Sequence, residues 1–205
     1  RSRSTVHLMA ETEPPMSLKA ILFDMDGTLT VPWIDWTELR TAIGATDGLG
    51  IIEFIGTLPP DSQEKAEATV REFEMDAARQ APANPGLDAM FEQLDQLSLK
   101  RALITNNHRA AMLHVVERYG LSFDLCLSRE DALLKPAPDL LLLALEHFCI
   151  SPEEAVFVGD GRYDRVASAA AGVRYVHLSH DRTIPEQEET FYHLAQLLDL
   201  LDVSG

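Results

Sequence analysis

Two aspartates stand two residues apart in Phe23-Asp24-Met25-Asp26-Gly27-Thr28, directly after an apolar run and directly before a Gly-Thr turn. In a strand, residues i and i+2 face the same side, so Asp24 and Asp26 are expected together at a strand end. Two anions that close repel one another, and a hard divalent cation with carboxylate oxygens around it is the usual compensation. Asp and Gly at a strand end are also ordinary turn chemistry, so the pair needs support from other residues.

Three more polar groups follow apolar runs. Thr105-Asn106-Asn107 offers a hydroxyl and the backbone N–H groups of a helix start, which can hold a phosphate oxygen; it is equally good capping chemistry. Lys135, in Leu134-Lys135-Pro136, would balance like charge beside a carboxylate and bind phosphate as a point charge. Asp160 and Asp164, in Gly159-Asp160-Gly161-Arg162-Tyr163-Asp164, lie one helical turn apart and could face the same way.

The elements that must position these groups read as an alternation of strands and helices, and hence as a parallel-sheet α/β architecture. Strands are expected at 20–23, 101–105, 123–127, 155–159 and 173–178. Helices are expected from Asn84-Pro85 over Leu87, Met90, Phe91, Leu94 and Leu97, over Met112, Val115, Val116 and Tyr119, at 138–148 (apolar nearly all round, so well buried), at 163–171 and at 192–201. Ser151-Pro152-Glu153-Glu154 reads as a capping box opening a single turn. Between Thr30 and Asn84 no strand pattern occurs. Trp33, Trp36 and Leu39, then Ile51, Ile52 and Ile55, then Ala66, Val70, Phe73 and Ala77 mark three helices instead. The division expected is an N-terminal tail at 1–16, an α/β core at 17–30 and 84–205, and a helical insertion at 31–83. The acidic run 186–189 reads as a solvated linker.

Composition narrows the function classes. The 205 residues carry a net charge of −16, which argues against a nucleic-acid or anionic-membrane partner. An acidic protein acting on an anion needs a local positive centre, which raises the importance of Lys135 and a metal. No stretch reaches the roughly 18 apolar residues of a membrane helix. Cys126 and Cys149 are expected as buried free thiols in a reducing, cytoplasmic setting. Arg1, Ser2, Arg3 and Ser4 leave organellar import open.

The ordered set Asp-x-Asp-Gly-Thr, Thr-Asn, Lys-Pro, Gly-Asp-x-x-x-Asp, each at an expected strand end, resembles the four motifs of the haloacid dehalogenase-like hydrolases over residues 18–178. The insertion is similar to the C1-type cap of the phosphoglycolate phosphatase and β-phosphoglucomutase branch. The resemblance implies a Rossmann-like three-layer core with a mostly parallel sheet and a small helical cap. It implies an Mg²⁺-dependent phosphatase hydrolysing a small phosphomonoester through an aspartyl-phosphate. Asp24 would be the nucleophile and Asp26 the proton donor and acceptor. Mg²⁺ would be held by the Asp24 carboxylate, the Asp26 backbone carbonyl and Asp160, supported by Asp164. Gly27 and Thr28 would shape the turn, Thr105 and Asn106 would bind phosphoryl oxygens, and Lys135 would offset charge. The implied partner is a small phosphorylated metabolite, and the implied assembly a monomer or small homo-oligomer.

The alternatives are a phosphomutase of the same fold, a 2-haloacid dehalogenase (against which Asp26 and Asp160 argue) and a non-catalytic binding protein. Gly161 stands where the pattern commonly has Ser, so a hydrogen bond beside the metal is lost or supplied by backbone. Arg162 and Arg165 are expected to face outward, His108 to be an exposed first-turn residue, His180 a loop residue, and Trp33 and Trp36 to be packing residues.

Overall fold

A computed structural model describes residues 18–45, 48–181 and 190–201. The expected tail at 1–16 and the acidic run at 186–189 lie outside the described residues. The elements run β1 (Ala20–Phe23), α1 (Trp36–Ile43), α2 (Ile51–Gly56), α3 (Pro60–Gln80), α4 (Leu87–Leu94), β2 (Lys100–Ile104), α5 (Arg109–Arg118), β3 (Leu125–Leu127), α6 (Asp139–Phe148), β4 (Ala155–Gly159), α7 (Arg162–Ala171), β5 (Arg174–Leu178), β6 (Thr190–Phe191) and α8 (Leu197–Leu201). The strand order is β3-β2-β1-β4-β5-β6, and every pairing is parallel. The fold is therefore Rossmann-like α/β.

Parallel sheets form where both faces are covered, and their central strands are apolar throughout. All four residues of β1 are buried. Their alternation divides the core into two layers. Ile21 and Phe23 pack with Leu87, Met90 and Leu94 of α4, Met112 and Val115 of α5, and Leu194 and Leu197 near the C-terminus. Ala20 and Leu22 pack on the other face with Leu140, Leu141 and Ala144 of α6 and Ala167 of α7. Each large side chain fully removed from water contributes about 1.5–3 kcal/mol.

Helices α1, α2 and α3 bury a small core of their own, made of Leu39, Ile55, Ala66 and Val70. Helix α1 begins where Asp35 Oδ1 accepts the Thr37 and Glu38 N–H groups, both at 2.9 Å. The two chain crossings into this segment run side by side: Val31 N–H donates to Pro82 O at 3.0 Å, and Asn84 N–H donates to Leu29 O at 2.8 Å. Among the described residues no helix is long and apolar enough to cross a membrane.

Several local expectations are corrected. The C-terminal segment is not one helix from 192: Thr190–Phe191 adds a sixth strand, and only Leu197–Leu201 is α-helical after a short 3₁₀ turn. Helix α6 is not buried all round, since Leu142 is exposed. Trp33 and Trp36 are not buried; they are 44% and 55% exposed, because α1 turns Leu39, with the half-buried Ile43, to the small helical core. Asn84 does not cap α4, which starts from Gly86. Cys126 is half-buried and Cys149 exposed, both as free thiols.

Candidate active site

The order of strands reverses between β1 and β4, and in open α/β sheets ligands bind beyond the carboxyl ends of the strands at such a point. Asp24 follows β1 directly and Asp160 follows β4 directly. Asp24 extends the sheet by one more bond, its N–H donating to Val158 O at 2.9 Å. Thr28 Oγ1 donates to Asp24 Oδ2 at 3.2 Å from a fully buried position. Gly27 turns the chain with φ +81, and a Cβ there would lie 1.9 Å from Asp160 Oδ2. Both the backbone conformation and the close approach of the carboxylate therefore require glycine.

Oxygens of Asp24, Asp160 and Asp164 lie within 4.8 Å of one another. Lys135 reaches into this cluster from the segment after β3. Its Nζ donates to Asp24 Oδ1 at 2.5 Å, Asp164 Oδ1 at 2.7 Å and Ile104 O at 3.1 Å, and the residue is only 4% exposed. Burial, the Asp164 charge and the Asp160 charge push the Asp24 carboxyl up to about 7 against the pull of Lys135. Burial and Asp164 raise Asp160 to about 7 as well. Burial alone would lower the Lys135 ammonium, but Asp164 and Asp24 outweigh it and hold the group above the usual lysine range. One ammonium cannot balance three carboxylates, and an all-oxygen donor set of this kind fits a hard divalent cation. At Gly161 the backbone N–H donates to Asp164 Oδ2 at 3.0 Å. Tyr175 supports the same loop, its hydroxyl donating to Gly159 O at 2.9 Å. Arg162 and Arg165 are exposed, as expected.

The Asp26 side chain leaves this cluster. Asn107 Nδ2 donates to Asp26 Oδ2 at 2.6 Å. Burial, Asp24 and Glu74 raise the Asp26 carboxyl to about 7. Thr105 is buried at the end of β2, and its Oγ1 accepts the Asn107 N–H at 3.1 Å.

Asn106 does something other than expected. Its Nδ2 donates to Lys135 O at 2.8 Å and its Oδ1 accepts the Lys135 N–H at 2.9 Å. The amide is thus used to hold the lysine backbone, and its polar atoms are not turned to a phosphoryl group. The helix start expected to cradle phosphate is also occupied by protein carboxylates. His108 N–H donates to Glu74 Oε2 at 3.0 Å, and Arg109 N–H donates to Glu130 Oε2 at 3.1 Å. His108 itself is buried at 8% exposure, not exposed, because its Nδ1 lies 2.5 Å from the same Glu74 oxygen.

Sequence reasoning missed Glu74, Asn84 and His180. Glu74 had a signal, for it stands four residues after Val70 on the apolar stripe of α3, where a carboxylate must find a partner. Asn84 Nδ2 donates to the carbonyls of Gly27, Thr28 and Thr30 at 3.0, 2.8 and 3.2 Å. His180 Nε2 lies 2.6 Å from Gly27 O and 3.7 Å from Asp160 Oδ2. Neither residue carries a local pattern that marks it. A cavity of about 390 Å³ opens between α2, α3 and the loops around His108 and Arg129, lined by Ile52, Ile55, Val70 and Arg71 among others.

The sequence profile of the haloacid dehalogenase-like hydrolases matches residues 18–172. The chain belongs to that family. It is a hydrolase with the family's α/β fold. It is 33% identical over 167 residues to a haloacid dehalogenase-like hydrolase domain-containing protein of Arabidopsis thaliana, covering 76% of this chain and 68% of the relative. It is 28% identical over 215 residues to phosphoglycolate phosphatase 1 of Pseudomonas aeruginosa, covering 89% and 78%. The crystal structure of a hydrolase from Pseudomonas syringae superposes with a TM-score of 0.74 at 20% identity, covering 91% of this chain and 99% of that one.

Proposed function

We propose that this haloacid dehalogenase-like hydrolase is an Mg²⁺-dependent phosphatase for a small phosphomonoester, working through an aspartyl-phosphate on Asp24. The observation that carries the reading is the separation of the two motif aspartates. Asp24 sits among carboxylates and Lys135, whereas Asp26 is turned to Asn107. An ionised Asp24 carboxylate attacks phosphorus, and the bond from phosphorus to the ester oxygen breaks. Asp26 gives its proton to the departing alcohol, then takes one from the water that cleaves the phospho-aspartate and releases inorganic phosphate. A carboxyl near 7 is suited to both transfers.

Lys135 reduces the repulsion between Asp24 and the incoming dianion. The side chains of Asp24 and Asp160, with Asp164 behind them, would hold Mg²⁺. The cation would supply neutralisation of the charge on the phosphoryl oxygens. Gly27, Thr28 and Thr105 shape the site around the phosphoryl group. The helices within 31–83 act as a cap. The phosphoglycolate phosphatase relative supports a small anionic metabolite as substrate.

Release of inorganic phosphate from an aryl phosphate in Mg²⁺ tests this reading. Activity is expected to vanish in EDTA and in Asp24→Asn. Full activity in EDTA would overturn the metal role, and an active Asp24→Asn would overturn the nucleophile. Transfer of the phosphoryl group to an added sugar in preference to water would mark a phosphomutase instead.

A further inference from the structure

We propose that Glu74, which touches none of the reacting groups, is a positioning residue for Asp26, acting from helix α3 through the loop after β2. The proposal rests on the phosphatase reading above, in which Asp26 moves the proton.

Glu74 is 5% exposed, and a carboxylate buried on an apolar stripe is costly unless fully paired. Both of its oxygens are engaged. Oε2 accepts the His108 N–H and faces His108 Nδ1, and Oε1 accepts from Arg129 Nη1. Arg129 in turn holds the same loop at two further points. Its Nη1 donates to Asn106 O at 3.3 Å, and its backbone N–H donates to Asn107 O at 3.2 Å.

Asn107 therefore lies between two residues fixed by the Glu74–Arg129 pair. Its side chain is the group that ties down Asp26, through Nδ2 to Oδ2 at 2.6 Å. Asn107 carries no other side-chain bond among the described residues, so the loop alone sets the direction of that amide. The path from Glu74 to Asp26 is short and made of bonds in one arrangement. The seating of α3 on this loop and the aim of the Asp26 carboxyl are one structural state. An amide in place of the Glu74 carboxylate leaves one acceptor oxygen for the two donors, Arg129 Nη1 and the His108 N–H, and the loop is free to relax away from Asp26.

The test uses leaving groups that differ in their need for a proton. An alkyl phosphate requires an acid to release its alkoxide, whereas nitrophenyl phosphate releases a weakly basic phenolate without one. The ratio kcat/KM reports only the steps up to departure of the alcohol. Glu74→Gln is expected to lower kcat/KM about 10- to 100-fold for the alkyl ester, a share of the full general-acid contribution. On the aryl ester it should change little. In an Asp26→Asn background the same substitution should add no further loss on the alkyl ester.

Arg129→Ala breaks the pair from its other, partly exposed side. It is expected to give the same selective loss, which keeps the test decisive if Glu74→Gln unfolds on a thermal scan. Equal losses on both esters, no loss on either, or an additive loss in Asp26→Asn would overturn the positioning role. Wild-type protein inert toward both esters would overturn the phosphatase reading and this role with it. An active wild type with an unselective Glu74→Gln overturns this role alone.

Discussion

Among the described residues Lys135 is the one ammonium bonded to both Asp24 and Asp164, and each of those contacts is buried. Breaking a buried ion pair by deleting one partner costs about 3–5 kcal/mol, because the surviving charge stays uncompensated. Lys135→Ala is accordingly expected to lower unfolding stability by that order in EDTA. Urea denaturation with and without Mg²⁺ checks it, the loss shrinking when the cation is present. Asp26→Asn should reduce turnover by about 10²–10⁴-fold with little effect on stability, as measured by steady-state kinetics beside a thermal melt. Gly27→Ala must place a methyl against the Asp160 carboxylate at positive φ, with a strain of about 1–3 kcal/mol and weakened Mg²⁺ binding by calorimetry. At this scale the charged residues were legible because each stands immediately after an apolar run. Asn106 and Asn107 were not separable, since adjacent amides look alike in sequence. Only the phase of the turn after β2 sends one to Lys135 and the other to Asp26.

Between Thr30 and Asn84 the chain leaves the sheet, forms helices α1, α2 and α3 and returns, and Asn84 secures the return. Its single Nδ2 serves three carbonyls of the turn that carries Gly27 and Thr28. Gly27 O keeps His180 Nε2 beside it, but Asn84→Ala takes this donor from the Thr28 and Thr30 carbonyls, at a cost of about 1–3 kcal/mol. Urea unfolding should record the loss, and phosphatase assays a parallel fall as the turn loosens. Five of the six strands were readable because a strand covered on both faces must be an apolar run. Strand β6 was not, because two residues, Thr190 and Phe191, show no periodicity and pair only through the register of β5. The tryptophans misled for a related reason. Trp33 and Trp36 fit helical spacing with Leu39, but the helices bury only a narrow stripe, and spacing does not report its width.

For the molecule as a whole, the carboxyls at the reversal of strand order link folding to pH. Asp24, Asp26 and Asp160 rise from an ordinary 3.8 to about 7 in the folded protein. The folded state thus binds more protons than the unfolded chain between these values. The stability they add is complete below 3.8 and is lost as pH rises through about 7. In EDTA the melting temperature should fall across that window, and saturating Mg²⁺ should flatten the decline; a Tm in EDTA that rises there would contradict the assignment. The sheet order has a second consequence, for synthesis. Strand β1 leaves the ribosome before the other described strands, yet Ala20 pairs with Ala155 on one side and Lys100 on the other. Until β4 emerges, this wholly buried strand has an open edge, and Asp24 lacks Asp160 beside it. Non-local pairing of this kind is slow and exposed to aggregation. A nascent chain stalled before residue 155 should therefore be bound by chaperones and incapable of turnover, however complete its helices.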